Sequence, residues 1–254
     1  MLVDSHCHLN FPDLAADLDG VMERMLAADV THALCVCVNL RDLPQVLAIA
    51  ERYANVYASV GVHPDEPPGG EPHEDELVEL AQHPRVVAIG ETGLDYYRTG
   101  PEGVGVQQDS FRWHIDLAKR TGKALQIHDR DAHDDVLRIL EEEGAPDNTV
   151  LHCFSGDIAM ARECVARGYV LSFSGTVTFK NAAGLRDALA VTPLDQLLVE
   201  TDAPYLTPSP HRGATNASYL VPLTVRSMAG VLNVDVPSLC TAIAATSERV
   251  YGPW

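Results

Sequence analysis

The chain has six cysteines but no CxxC pair and none of the spacing seen in small secreted disulfide scaffolds. They are read as reduced thiols, and no structural disulfide is expected. No window approaches the ~18 to 20 apolar residues of a membrane span. The opening MLVDSHCHLNF has neither the basic n-region nor the apolar h-region of a secretory signal. Cytoplasmic residence without a membrane partner is the expectation. There is no GxGxxG after the first predicted strand and no P-loop, which removes the main dinucleotide and nucleotide-binding readings. Gly/Ser linkers, low-complexity tracts and internal repeats are missing as well. Positive charge is scarce: 18 Lys and Arg face 36 Asp and Glu, a formal net charge of -18. A protein that tracks duplex DNA normally carries a basic stripe to displace counterions. Long duplex is therefore expected to bind weakly, and any polyanionic substrate must be attracted by something local.

What is present is a regular alternation. Short apolar or β-branched runs at 2–4, 33–38, 57–62, 86–90, 124–127, 149–151, 169–173 and 196–199 read as strands. Between and after them, amphipathic stretches at 14–28, 43–53, 74–82, 107–121, 132–143, 158–167, 185–191 and 222–232 read as helices, with a further one over 236–250. Gly122, Gly144 and Gly168 stand where left-handed C-terminal residues end helices. Eight βα repeats in 254 residues close a (β/α)8 TIM barrel more naturally than they extend a doubly wound sheet. A single domain over 1–254 is expected. The acidic stretches 65–79 and 129–143 read as solvated helix faces and loops.

Metal-type side chains gather at the C-terminal ends of the predicted strands, the face on which barrel enzymes build their sites. His6 and His8 flank Cys7, and period-2 alternation aims both imidazoles to one side while Cys7 packs away. Glu91 follows an apolar strand, where an unpartnered carboxylate is costly. Strand 5 ends at His128, strand 6 at His152, and strand 8 at Glu200-Thr201-Asp202. Any one of these alone reads as an ordinary satisfied core or loop residue. Five strands ending this way make chance a poor account. Four histidines and two carboxylates suit two divalent ions, with Zn, Mn or similar metals more natural on imidazole than Mg. Such a pair can clamp a displacement and activate a bridging water. In this reading Glu91 bridges the ions, Asp202 binds one and takes a proton, and Glu200 orients a ligand histidine. His63 is expected on a phosphate oxygen. Tyr96 and Arg130 are placed on phosphate or sugar, and Phe154 and Tyr205 on a base. His32, His73, His83, His114, His133 and His211 fall outside the pattern.

Together these residues resemble the TatD family of metal-dependent deoxyribonucleases. The landmarks DSHCHL, GVHP, GETGLDYY, QQDSFRWHIDLA, IHDRDA, HCFSG, SFSG and ETDAPYL appear in order from Val3 to about Tyr251. The resemblance implies metal ligands at His6, His8, Glu91, His128, His152 and Asp202. It also implies exonuclease activity on single-stranded DNA, with a part in repair. Asp129 departs from the small residue usual after the ligand histidine. The competing function is an amidohydrolase or a D-aminoacyl-tRNA deacylase on the same barrel. Many such enzymes bridge their metals with a carboxylated lysine on strand 4, and residues 86–93 contain none. A metal-storing protein without turnover ranks below both, because structural sites are closed four-coordinate cages. A monomer acting on single-stranded ends is the expectation.

Overall fold

The computed structural model describes residues 2–66 and 74–252, so His73 and part of the acidic stretch 65–79 lie outside the described residues. Eight parallel strands pair strictly in chain order: β1 (Leu2–Cys7), β2 (Val30–Cys35), β3 (Val56–Val60), β4 (Val86–Asp95), β5 (Ala124–Arg130), β6 (Thr149–Leu151), β7 (Val170–Phe173) and β8 (Leu197–Val199). The helices are α1 (Pro12–Ala15), α2 (Leu18–Ala27), α3 (Leu43–Arg52), α4 (Glu74–Leu80), α5 (Val104–Thr121), α6 (His133–Glu143), α7 (Ile158–Ala166), α8 (Ala183–Ala190), α9 (Val221–Leu232) and α10 (Val236–Tyr251). A doubly wound sheet reverses its strand order partway. This one does not, and the expected (β/α)8 barrel is what forms.

The circle closes just beyond β8. Cys7 bridges Ala203 in parallel, the Asp202 N–H donates to the His6 carbonyl at 2.9 Å, and the His8 N–H donates to the Ala203 carbonyl at 2.8 Å. Asp4, fully buried on β1, holds the same seam by accepting from the Thr201 N–H (2.9 Å) and hydroxyl (2.7 Å). Burial pushes its carboxyl up to about 6, against the Thr201 hydrogen bonds. The joining of β1 to β8 thus brings His6, His8 and Asp202 together as part of closure itself.

Two apolar layers make the core. Leu34, Val36, Ala88, Ala124, Val150 and Leu198 form a cluster with Val250 and Tyr251 of α10. A much larger cluster joins the strands to the surrounding helices. Among the described residues no single helix is long and apolar enough to cross a membrane. All six cysteines are free, as expected.

Several strand bounds differ from expectation, β1 running on to Cys7, β2 lying three residues earlier and β5 extending to Arg130, and two boundaries differ for identifiable reasons. The stretch 14–28 splits into α1 and α2 because Asp17 leaves helical geometry (φ -137°, ψ 49°), while Pro12 starts the first turn early. β4 runs five residues past Gly90, since Thr92 to Asp95 pair with Ile127 to Arg130 of β5. Three steps along β4 from Ile89 to Thr92 face two along β5, so one extra residue is accommodated around Gly90 and Glu91. Such bulges re-aim side chains beside active sites. Gly90 has φ +131°, and a Cβ there would come within 2.5 Å of the Gln126 carbonyl oxygen.

His114, given no role by sequence, ties α5 to the end of β3. Its Nε2 accepts the Val62 N–H at 3.1 Å and its Nδ1 faces the Ser110 carbonyl at 2.7 Å. Burial pushes the imidazole down to about 4. Unfolded histidine titrates near 6.5, so between these values the unfolded chain binds more protons and stability is lost as pH falls. From pH 7 to pH 5 this one group should withdraw about 2 kcal/mol. Urea unfolding of metal-free protein at both pH values should show His114→Gln losing less stability than the wild type by about that amount. Equal losses would contradict a neutral, buried His114.

Candidate metal centre

The bulge in β4 delivers Glu91 to the middle of the strand-end face, where it is buried and its N–H donates to the Cys37 carbonyl at 2.9 Å. Its two oxygens face different partners. Oε2 lies 3.3 Å from His6 Nε2 and 3.8 Å from His8 Nε2. Oε1 lies 2.9 Å from His152 Nε2, 3.0 Å from His128 Nδ1 and 3.5 Å from His63 Nε2. Asp202 Oδ1 completes the first side, 3.4 Å from His8 Nε2 and 3.8 Å from His6 Nε2. Asp202 has φ +55°, a left-handed turn immediately after β8 that swings its carboxylate into the cleft. All six expected ligands therefore converge. Their donor atoms fall into compact groups, among them His6 with His8 and Glu91, and His6 with His152 and Asp202.

Whether these residues fit a cation can be judged from the far nitrogen of each ring. His8 Nδ1 lies 3.4 Å from the Val36 carbonyl, His152 Nδ1 3.2 Å from Glu200 Oε1, and His128 Nε2 3.2 Å from Asp95 Oδ2. In a neutral ring those acceptors take the proton, and the opposite nitrogen, the one facing Glu91 or Asp202, then has a lone pair to offer a cation. His6 is fully buried, stacks on His152 at 3.8 Å, and has no hydrogen-bond partner at either nitrogen. Burying an unpaired imidazole is costly. Despite burial, the facing carboxylates favour a second proton on His8, His128 and His152, and a divalent cation between ring and carboxylate would replace that proton and give His6 a partner. The donor set fits.

His63 is different. Its Nε2 is also near Glu91, and His63, Glu91 and His128 are close enough to share an ion. Yet its Nδ1 accepts the Asp65 N–H at 3.0 Å. In a neutral ring the proton then sits on Nε2, which points into the cleft as a donor. Burial, with repulsion from His128 and His152, pushes His63 down to about 4 despite the attraction of Glu91. A neutral donor matches the expected phosphate contact better than a metal ligand.

Burial acts to raise the Glu91 carboxyl, but His152, His63 and His6 with the His128 hydrogen bond hold it well below the usual range. Asp202 is likewise lowered, burial being outweighed by the His8 hydrogen bond and neighbouring imidazoles. His152 is raised well above the ordinary histidine value, because Glu91 and Glu200 outweigh its desolvation. His6 is lowered, first by burial and then by His152.

Glu200 takes the expected supporting place: fully buried, it accepts from the Cys153 N–H at 2.8 Å as well as facing His152. Asp95 does the same for His128 and was missed by sequence reasoning. Its position four residues past Glu91, on the same side of an extended strand, was the available signal. Gly93, between them, has φ +132°, and a Cβ there would lie 2.0 Å from the His128 carbonyl oxygen, so the β4–β5 approach that seats His128 requires glycine.

The remaining expectations divide. Arg130 and Tyr205 line the cleft with His63, and Tyr205 is exposed. Phe154 corrects its expectation. Cys153 turns the chain with φ +42°, and Phe154 is buried with its ring 5.8 Å from Phe173, in the core rather than facing a base. Tyr96 is also corrected. Its hydroxyl donates to Asp135 at 2.7 Å and accepts from Gln108 at 2.7 Å, which draws it toward α5 and α6. Asp129, with its added negative charge, points to α6 and pairs with His133 at 2.8 Å. Phe11, unassigned by sequence, stacks on His8 at 4.6 Å and meets Tyr205 edge-on.

Comparison with known proteins follows the same lines. The family model described as TatD related DNase matches residues 3–252. The chain is 48% identical to a Mycobacterium tuberculosis protein named uncharacterized metal-dependent hydrolase TatD, covering 99% of this chain and 98% of that one. It is 42% identical to the Escherichia coli metal-dependent hydrolase YcfH, over 98% of this chain and 95% of the relative. Among solved structures, the Escherichia coli TatD homologue YjjV superposes with a TM-score of 0.91 at 29% identity, covering 100% of this chain and 98% of the other.

If Glu200 orients His152, its removal should weaken metal binding. Chelator competition on purified protein should show Glu200→Leu losing affinity by roughly 10 to 100-fold, with Glu200→Gln between it and wild type because an amide oxygen still accepts. Unchanged affinity in a folded Glu200→Leu protein would remove that role.

Proposed function

The chain belongs to the family of TatD-related DNases, and from that premise we propose that it is a metal-dependent hydrolase that cleaves phosphodiester bonds of DNA, acting on single-stranded ends. The observation that carries the reading is the convergence of four buried imidazoles on Glu91 and Asp202, with Glu91 offering one oxygen to each side. His6, His8, His128, His152, Glu91 and Asp202 would hold two divalent ions, of the Zn, Mn or Mg class. Bound there, such ions supply Lewis acidity, activate water and set positive charge where a phosphate must sit.

The chain's own residues supply the rest. Asp202 is ionised, and its side chain retains partial access to the cleft (17% exposed), so it accepts the proton of the attacking water. The new P–O bond forms as the bond to the leaving nucleotide oxygen breaks, and that oxygen takes up a proton from solvent. His63 Nε2–H donates to a non-bridging phosphate oxygen, fixing the ester without itself changing charge. Phe11 supports His8 by stacking, and Tyr205 offers an exposed ring at the cleft mouth for a base.

Shape and charge support single-stranded ends. The cleft has a volume of about 620 Å³, room for one or two nucleotides rather than a duplex. A surface with a net charge of -18 repels long polyanions, leaving the centre as the attractive point. End-labelled single-stranded DNA should be degraded by metal-loaded protein and left intact after chelation. Asp202→Asn should lower the rate at least about 100-fold, within the range of general-base losses. Equal degradation by wild type and Asp202→Asn would overturn the assignment. Raising salt should slow the wild type, and metal-free protein should give no tight gel shift with duplex.

A further inference from the structure

Two arginines line the cleft among the described residues, and they are in different states. Arg98 is engaged, its Nη1 2.7 Å from Asp65. Among the described residues no carboxylate lies within ion-pair distance of Arg130. Its guanidinium instead lies 3.9 Å over the ring of Tyr97, which is 65% exposed. Other arginines without an ion pair, such as Arg85 and Arg186, spend their N–H groups on backbone carbonyls, whereas Arg130 lines the cleft. Asp95, the acid that senses its charge, is occupied by His128 and by the N–H groups of Tyr97 and Arg98.

Register gives this cation its meaning. His128 and Arg130 lie two residues apart on β5, so they share a face of the strand, while Asp129 between them points to α6. Two residues of strand span roughly 6.6 Å, on the order of one nucleotide step along an extended single strand. A ring beneath the guanidinium holds its plane and leaves its N–H edge free for the fork-like recognition that phosphate oxygens accept.

We infer that Arg130, held flat on Tyr97, binds the phosphate one nucleotide away from the scissile one, so that the site prefers a strand with at least two phosphodiesters over a single ester. This rests on the phosphodiesterase reading. It makes Arg130 a determinant of substrate length, with Tyr97 as its positioning residue. It also places the strand's path toward β5, away from the acidic pair partners on the Asp65 side.

Affinity, independent of turnover, tests it. A fluorescein-labelled single-stranded thymidine pentamer with phosphorothioate linkages is titrated with metal-loaded protein, and a phosphorothioate thymidine dimer competes. The wild type should prefer the pentamer. Arg130→Gln should cut that preference by about tenfold, the loss of one charge-assisted hydrogen bond, and flatten the salt dependence by about 0.7 in log–log slope. Tyr97→Ala should lose part of the preference, while Tyr97→Phe, which keeps the ring, should retain it. A wild type without preference, or Arg130→Gln with the wild-type preference and slope, overturns the inference. Hydrolysis of the natural pentamer is followed separately: a preference that depends on Arg130 in a protein that cuts no DNA would uphold this contact and refute the hydrolytic reading.

Discussion

The structure depends on a set of buried imidazoles whose protons are already spoken for. The Val36 carbonyl, Asp95 and Glu200 each face one nitrogen of a histidine, and the other nitrogen is left to point at Glu91 or Asp202. Without a cation this arrangement is an accumulation of buried charge around a His6 with no hydrogen-bond partner, which a packed interior tolerates poorly. Much else in the fold serves to impose it. The bulge at Gly90 and Glu91, the glycine at position 93 and the left-handed turn at Asp202 are local departures from regular strand geometry, and each aims or seats a member of the centre. Local rules give way where the site is built.

Barrel closure and site assembly are one event in this chain. The backbone bonds that join β1 to the segment after β8 run through His6, His8, Asp202 and Ala203. Asp4 and Thr201 reinforce the seam from within. A barrel that failed to close would not merely lose stability but would separate His6 and His8 from Asp202. This couples folding to metal affinity in both directions, because a cation held across the seam also binds only the folded state.

Around the centre, charge is arranged by contrast. The acidic surface limits which polyanions approach, and most arginines are matched to carboxylates, as Arg112 is to Glu142 and Glu143 and Arg138 is to Asp135 and Glu142. His63 enters the cleft as a neutral donor. A polyanion that reached the centre would meet a few local contacts rather than a field spread over the surface.

The barrel was legible in the sequence because hydrophobic period and turn residues are local properties: the strand at 149–151 and the alternating elements need no long-range information. The convergence of the six candidate ligands was legible for a related reason. Strand ends in a parallel barrel share one face, so position along each strand predicts convergence without coordinates. Period-2 spacing likewise left Cys7 to packing, whereas Asp202 reaches the cleft through its left-handed turn. Tertiary structure alone decided which aromatic faces the cleft. Tyr96 is drawn to α5 and α6 because Gln108 and Asp135 claim its hydroxyl, while Tyr97 beside it stays exposed under the Arg130 guanidinium. Phe154 was turned into the core by the backbone at Cys153, and His63 became a donor through one hydrogen bond from Asp65. These are contacts between separate segments, a single dihedral angle or one local hydrogen bond, and none of them leaves a periodic trace in the residues themselves.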